Sequence, residues 1–210
     1  PTLGKKADEI SIRKIPINPG HREVFWHKNC VAVGLSAGFL EPLEASALVL
    51  VELSAAMISE QLPANRDVMD IVAKRFNKKF LYRWDRIVDF LKLHYILTKR
   101  TDTKYWRDNC LAESIPEDLQ TLLKLWRFES PWQLDFDHAD EVFPSASYQY
   151  ILYGMGFETS ARHTTRRSDN IDLAQSTFQK NAQLTQKLLA GLPNNRELIN
   201  KIKQYGLQKI

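Results

Sequence analysis

The sequence predicts a mainly α-helical protein with a short β segment at its N-terminal end. The chain has 210 residues, 44% of them hydrophobic and 10% aromatic, which is enough apolar material for a buried core. After residue 40 the apolar residues recur at helical spacing, whereas the first forty residues show alternation and turn signals. The same composition excludes intrinsic disorder, a collagen-like chain and a small disulfide scaffold.

The predicted β segment lies within residues 1–40. The stretch ISIRKIPI at 10–17 alternates between apolar and other residues, and Asn18-Pro19-Gly20 signals a turn. The following REVFWHKNCVAVG is rich in residues that favour strands. We expect two strands or an irregular hairpin that enters a sheet.

The first helix is predicted from Pro42 to Leu62. Proline suits the first turn of a helix, and Glu41 and Glu44 would lie beside the positive end of its dipole. The stretch ASALVLVELSAAMISEQL is apolar almost all round, so we expect this helix to be buried on most sides. It is too short and too interrupted for a membrane span.

Further helices are predicted at 65–97, 117–128, 146–156, 169–190 and 194–206. Asn65 and Asn194 are suited to cap two of them, and Ser114 with Glu117 has the spacing of a capping box. We expect an exposed connection at 158–170.

Composition also narrows the classes of function. The 29 basic and 25 acidic residues are interspersed, and the net charge of +4 is mild, so we expect no nucleic-acid partner. The five histidines form no helical ligand pair, which argues against a metal site, and His94 is interpreted as a hydrogen-bonded helix residue. Cys30 and Cys110 lack metal-type spacing, and we expect reduced thiols in the core and a cytoplasmic location.

Glycine is scarce, with eight residues in the chain. None of them forms a G-x-G-x-x-G motif or a P-loop. Both motifs use glycine to bring backbone amides close to phosphate groups. The chain by itself is therefore not expected to be a self-sufficient dinucleotide-binding enzyme.

The segment at 29–48 combines a loop of small residues with two glutamates at a predicted helix start. The two carboxylates, Glu41 and Glu44, allow two interpretations. In one they complement the helix dipole, and in the other one of them is desolvated and holds or accepts a proton in an active site. Small residues let another molecule approach the backbone closely, and they are Gly34, Ser36, Ala37 and Gly38.

The stretch WHKNCVAVGLSAGFLEPLEASAL at 26–48 resembles the flavin-dependent tryptophan halogenases, in which a near-identical segment ends E-P-L-E-S-T-G. The resemblance continues in HYILTKRTDTKYWR at 94–107, in LWR at 125–127 and in VFPSASYQYILYGMG at 142–156. It implies the C-terminal part of an α/β, FAD-dependent monooxygenase-like halogenase fold.

The resemblance also implies a division of the chain. Residues 1–40 would complete an FAD-binding module with a β segment and a flavin and halide loop, and residues 41–210 would form a helical region on the substrate side. The family's N-terminal glycine motif, its essential lysine and its W-x-W-x-I-P motif do not occur in the 210 residues. We therefore expect a portion of a longer enzyme, which alone neither binds FAD tightly nor halogenates.

Site residues follow from the resemblance position by position. Glu44 matches the catalytic glutamate, Ser46 and Ala47 match the halide-binding positions, and the loop residues Gly34, Ser36, Ala37 and Gly38 are the expected cofactor contacts. Three positions depart from the family pattern: Ala45 replaces serine, Ser46 replaces threonine and Ala47 replaces glycine. The last change is harmless if Ala47 has a negative φ angle.

The resemblance implies that reduced FAD and oxygen oxidise chloride or bromide, and that the resulting electrophile attacks tryptophan or another electron-rich aromatic ring. A separate flavin reductase and a small aromatic substrate are the implied partners, and a homodimer stays open. The alternative is a flavin-binding or structural relative that does not halogenate, which the Ala45 substitution would favour. A helical nucleic-acid-binding module would have only the positive charge in its support.

Overall fold

The structure, a computed structural model, describes residue 11 and residues 13–137, 140–160 and 170–207. The chain divides into two compact units, residues 1–159 and residues 160–210. The first unit contains β1 (Gly20–His21), β2 (Trp26–His27), β3 (Cys30–Val31), β4 (Gly38–Phe39), α1 (Ser46–Glu60), α2 (Met69–Ile96), α3 (Lys104–Asn109), α4 (Glu117–Trp126) and α5 (Ser145–Gly154). The second contains α6 (Ile171–Gly191) and α7 (Asn195–Tyr205). The mainly helical fold class with a short β segment is confirmed.

The strands form two small antiparallel pairs. In one pair β1 meets β4, with Gly20 opposite Phe39 and His21 opposite Gly38. In the other, β2 and β3 form a tight hairpin. Residues 11 and 13–19 form no strand, so the prediction of a strand over ISIRKIPI is wrong for its described part. The proline at position 16 lacks the N–H that a strand ladder needs.

The β segment is anchored to α2 by one asparagine. The Asn77 side chain accepts the backbone N–H groups of Phe25 (2.9 Å) and Trp26 (2.7 Å) and donates to the Trp26 carbonyl (2.9 Å). Phe25 and Trp26 are buried against apolar residues of α2, Phe76, Phe80 and Trp84 among them. Each buried side chain of this size contributes about 1.5–3 kcal/mol, so this packing fixes the loop that follows the strands.

Helix α2 carries residues of both hydrophobic clusters of the first unit. It begins at Met69, four residues after the predicted cap, because Asn65 Oδ1 instead accepts the N–H groups of Asp67 and Val68 in a turn. It ends at Ile96, close to the predicted end. Its C-terminal half packs with α4 and α5 in a cluster that includes Phe90, Leu93, Leu119, Trp126, Tyr148 and Leu152.

A buried ion pair accompanies this second cluster. The Arg86 guanidinium lies 2.7 Å from Asp89 on the same helix and 2.7 Å from Asp118 at the start of α4. Burial raises the pKa of Asp89 to about 6, although Arg86 opposes this shift. Arg86 thereby joins α2 to α4.

Helix α1 differs from its prediction at both ends and in its burial. It runs from Ser46 to Glu60, because Glu44 and Ala45 have φ angles of 61° and 53°, which interrupt any helix from Pro42. The described residues do not cover α1 on most sides: its buried residues are Ser46, Leu50 and Ser54, whereas Leu48 is 77% exposed. Its apolar face has few partners among the described residues.

Three other local predictions have clear outcomes. Both cysteines are free, as expected, but Cys30 and Cys110 are exposed, so their placement in the core is wrong. The capping box before α4 is also wrong, because the Ser114 hydroxyl donates to the Leu111 carbonyl (2.6 Å). At α7 the predicted cap is confirmed, since Asn194 Oδ1 accepts the Glu197 N–H (3.0 Å).

The exposed connection predicted at 158–170 lies largely outside the described residues. Within the described ranges, no helix is long and apolar enough to cross a membrane.

Candidate functional site

The candidate site is built around a strained turn that precedes α1. Residues Leu43–Ala45 form a 3₁₀ turn, closed by the Ala45 N–H donating to the Pro42 carbonyl (3.0 Å). Glu44 and Ala45 are both left-handed, a conformation that costs a residue with a Cβ atom roughly 1–2 kcal/mol. Such strain persists where the surrounding structure enforces it, which is common at functional sites.

The Glu44 carboxylate is turned towards α2. Its Oε1 lies 3.1 Å from His94 Nε2, and the other ring nitrogen of His94 lies 2.8 Å from the Phe90 carbonyl oxygen. The Glu44 side chain is 37% exposed and the His94 side chain 16%. Glu44 therefore contacts a side chain fifty residues away, and it lies two residues before the first residue of α1.

A cavity of about 360 Å³ opens at Glu44. Its other lining residues come from α2 and α5, and they are Phe90, Ala146, Ser147, Tyr150 and Ile151. The cavity thus combines one carboxylate with apolar and aromatic walls. Such a combination can hold a small aromatic molecule beside an acidic or basic group.

Ser46 begins α1 and is completely buried. Its hydroxyl has no hydrogen-bond partner among the described residues, and it lies at the positive end of a 15-residue helix. A buried hydroxyl without a partner is costly, and first-turn amides of a helix have no intrahelical acceptor. This helix start has the donors that an anion requires.

Ala47 is the second residue of α1, and its φ angle is not positive. Replacement of the family's glycine by alanine is therefore sterically harmless at this position. The positive φ angles lie instead at Glu44 and at Ala45, where the family has serine.

A second, apolar cavity of about 470 Å³ adjoins the helix start. Among its lining residues are Gly34, Ala37 and Gly38 of the small-residue loop and Ala47 of α1. Glu44 lines the smaller cavity, and Ala47, three residues later, lines the apolar one. Residues 44–47 therefore contribute to the walls of both cavities.

Residues of the small-residue loop also have structural roles. The Ser36 hydroxyl donates to the Val33 carbonyl (2.8 Å) and accepts the Val33 N–H (3.0 Å), so it closes the turn. A Cβ atom at Gly38 would lie 2.7 Å from the Gly20 carbonyl oxygen, so glycine is required where β1 approaches. Gly34 has a φ angle of 62° and lines the apolar cavity.

The second glutamate belongs to a different environment. Glu41 accepts a hydrogen bond from the Tyr95 hydroxyl and lines a separate cavity of about 350 Å³. Burial and this hydrogen bond raise the pKa of Tyr95. The two glutamates, predicted on one helical turn, thus have different partners. Glu44 contacts His94, whereas Glu41 contacts Tyr95.

The structure brings together three of the motifs that carry the resemblance. Glu44 belongs to the 26–48 segment, His94 begins the 94–107 segment, and the wall of the smaller cavity comes from the 142–156 segment. The fourth motif, at 125–127, has a structural role, because Trp126 is buried and donates to Asp135 (2.9 Å). The contact between His94 and Glu44 was not predicted, although the motif that begins at His94 was a signal for it.

Within the described part of the chain, no group of three or more histidine, cysteine or acidic side chains could hold a metal ion.

Comparison with known proteins agrees with this geometry. A profile of the family described as tryptophan halogenase matches residues 2–170. The tryptophan 6-halogenase SttH of Streptomyces toxytricini is 30% identical over 154 residues, which are 73% of this chain and 29% of that enzyme.

Solved structures give the same result. A tryptophan halogenase from Shewanella frigidimarina NCIMB 400 is 47% identical, with a TM-score of 0.91 over 99% of this chain and 39% of that one. The flavin-dependent halogenase BrvH from Brevundimonas sp. BAL3 is 33% identical, with a TM-score of 0.75 over 90% of this chain and 38% of that one. These matches confirm the predicted resemblance and the partial halogenase fold, and the chain spans 29–39% of the length of these relatives.

Proposed function

Since this chain belongs to the tryptophan halogenase family, we propose that it is the C-terminal portion of an FAD-dependent halogenase. The enzyme would chlorinate or brominate tryptophan or another electron-rich aromatic ring by electrophilic substitution. One observation carries this proposal: Glu44 lines a small cavity with aromatic walls, and Ala47, three residues later, lines a larger apolar cavity. The oxidation of halide and the substitution of the ring would then take place in separate cavities.

Glu44 would act as the base of the substitution. When an electrophilic halogen bonds to a ring carbon, the ring becomes cationic and that carbon still carries its hydrogen. A carboxylate beside the ring stabilises the cation and then takes the proton, while the C–H electron pair restores aromaticity. Glu44 is suited to this step because its Oε1 is held by His94, and Phe90 and Tyr150 provide aromatic surface in the same cavity.

Ser46 and Ala47 would bind the halide. The buried Ser46 hydroxyl has no partner in the described structure, and a halide ion is an acceptor that would satisfy it. The backbone amide of Ala47 lies in the first turn of α1, where the helix dipole favours an anion.

The apolar cavity fits the ring end of a flavin. Gly34, Ala37 and Gly38 line it without bulky side chains. Ser36 is not among its lining residues, and its hydroxyl closes the local turn, so its contact with the cofactor stays a prediction. Bound in reduced form, FAD would supply with oxygen the oxidant that converts chloride or bromide into an electrophile. No phosphate-binding glycine motif occurs among the 210 residues, so we propose that these residues alone neither retain FAD nor halogenate.

The proposal also includes the partners of the enzyme and the roles of the two parts of this chain. A separate flavin reductase would supply reduced FAD, and a cytoplasmic location and a homodimer are kept as predictions. Residues 1–40 would contribute to the flavin module and residues 41–210 to the substrate side. The alternative function, a flavin-binding relative without halogenating activity, draws its support from Ala45, which has no hydroxyl group.

The proposal is tested by a product screen on the protein at its full natural length. Reduced FAD from a reductase, oxygen and either chloride or bromide are supplied with a panel of indoles and phenols. We expect halide-dependent products with the isotope pattern of chlorine or bromine in mass spectra. Flavin oxidation without any halogenated product from the panel would favour the alternative. Stoichiometric flavin retained by the purified 210 residues alone would contradict the inactivity proposed for them.

A further inference from the structure

We propose that His94 is the positioning residue of the Glu44 carboxylate, which it holds through one oxygen by an N–H bond so that the other oxygen remains available to the substrate. The inference rests on the function proposed above. It follows from the two contacts of the imidazole ring, with the Phe90 carbonyl and with Glu44 Oε1.

Both ring nitrogens of His94 face oxygen acceptors. A carbonyl oxygen can accept but cannot donate, so the 2.8 Å contact with the Phe90 oxygen is a hydrogen bond when Nδ1 carries a hydrogen. A carboxylate oxygen also accepts, so the 3.1 Å contact with Glu44 Oε1 is a hydrogen bond when Nε2 carries one. The imidazole ring is therefore the donor that holds Glu44 Oε1.

The orientation of the ring is also fixed. The Phe90 carbonyl lies one turn earlier on α2, and the Phe90 ring meets the imidazole edge to face at 5.1 Å. Phe90 is itself stacked on Phe143 at 3.9 Å. The buried part of α2 thus places Nε2 at a defined point in front of Glu44.

The neighbouring polar groups of α2 are committed elsewhere. Tyr95 donates to Glu41, and Lys92 Nζ donates to Asn109 (2.9 Å). Tyr150 of α5 lines the cavity on its far wall. Glu44 is the carboxylate in contact with His94 in the described structure, and its Oε2 has no partner there. One oxygen of Glu44 is therefore anchored and the other is free for the ring proton.

The first test distinguishes the contribution of the His94 N–H group from that of its aromatic ring. His94→Phe keeps an aromatic ring against Phe90 and removes both nitrogens, whereas His94→Gln places an amide N–H near the position of Nε2. We expect His94→Phe to lower the kcat for halogenated product by about 10- to 100-fold, because displacement of a catalytic group by about 1 Å can cost that much. The KM for the aromatic substrate and the rate of flavin oxidation should not change.

His94→Gln should recover most of the lost rate, and His27→Gln, which changes an exposed histidine on β2, should behave as the wild type. A wild-type rate for His94→Phe would overturn the inference. So would an equal loss in His94→Phe and His94→Gln, since an N–H donor would then not be what Glu44 needs.

The second test needs no turnover. Histidine labelled with ¹⁵N reports which ring nitrogen carries hydrogen, and the signal that disappears in His94→Gln identifies His94 among the five histidines. We expect a hydrogen on Nε2 of His94, and on Nδ1 as well, in the protein at its full natural length. A His94 ring without hydrogen on Nε2 would overturn the inference even in an active enzyme. If the wild type makes no halogenated product but Nε2 of His94 carries hydrogen, the proposed function fails while the geometry of the pair stands.

Discussion

The starts of α1 and α7 differ in how their polar groups are paired. Before α7, Asn194 accepts the Glu197 N–H, and Glu197 accepts the Asn194 N–H (3.2 Å), so the turn satisfies itself. Before α1, Glu44 points away to His94, two residues are left-handed, and the buried Ser46 hydroxyl has no partner in the described structure.

The two helix starts differ in whether their polar groups are paired within the protein. A capping box stabilises a helix by pairing donors that would otherwise be unpaired. The α1 start keeps backbone strain and an unpaired hydroxyl, both of which oppose folding. A ligand bound at the α1 start could pair with the Ser46 hydroxyl, so this helix start, unlike that of α7, is suited to bind a ligand.

The largest difference between the two starts should appear in catalysis. We expect Glu44→Gln to reduce halogenated product by about 10²- to 10⁴-fold, because an amide cannot take the ring proton. Flavin binding should survive, since Glu44 does not line the apolar cavity. The measurement is initial product formation by mass spectrometry, alongside flavin fluorescence.

Glu41→Gln is the matched control for this experiment, because Gln can still accept the Tyr95 hydroxyl group. It should halogenate at nearly the wild-type rate. Unchanged turnover in Glu44→Gln would refute the role assigned to that carboxylate.

Removal of one polar group from each helix start should have smaller effects. At α1 it should change the KM for halide, and at α7 it should change the stability. Ser46→Ala loses no protein hydrogen bond in the described structure and removes a buried unpaired hydroxyl, so the free energy of unfolding should not fall. The KM for halide should rise by roughly tenfold, the effect of a lost hydrogen bond to a charged group.

Asn194→Ala should do the reverse. Loss of the cap should destabilise α7 by about 1 kcal/mol, measured by urea unfolding followed by circular dichroism, without any change in the KM for halide. If Ser46→Ala destabilises the protein as much as Asn194→Ala, then Ser46 is a structural residue like the cap.

The smallest expected effect concerns backbone strain. Ala45→Gly should raise the free energy of unfolding by about 0.5–1 kcal/mol, because glycine relieves a left-handed conformation but adds entropy to the unfolded chain. Ala47→Gly should lower it by about 0.5–1 kcal/mol, since that residue is helical. A lower free energy of unfolding for Ala45→Gly, in thermal or urea unfolding, would show that the turn is not strained.

Several elements could be predicted because their causes are local. The period of apolar residues in α2 and the Asn194 cap of α7 depend on residues within a few positions of one another, and both appear in the structure. The capping box at Ser114 failed because its hydroxyl found a nearer carbonyl. Much of α1 is exposed in the described structure, because composition indicates that a face is apolar but does not specify which residues cover it.

The helical class and the family could be recognised from the sequence, since short motifs and periodic patterns are readable in one dimension, and the same motifs pointed to Glu44 as the candidate catalytic residue. The surroundings of Glu44 come from folding. Folding brings Glu44, Phe90 and residues of α5 to one cavity, and a left-handed turn directs Glu44 to His94, whereas Glu41 contacts Tyr95. Contacts between residues fifty or more positions apart depend on how α2 packs against its neighbours, and no local pattern specifies that packing.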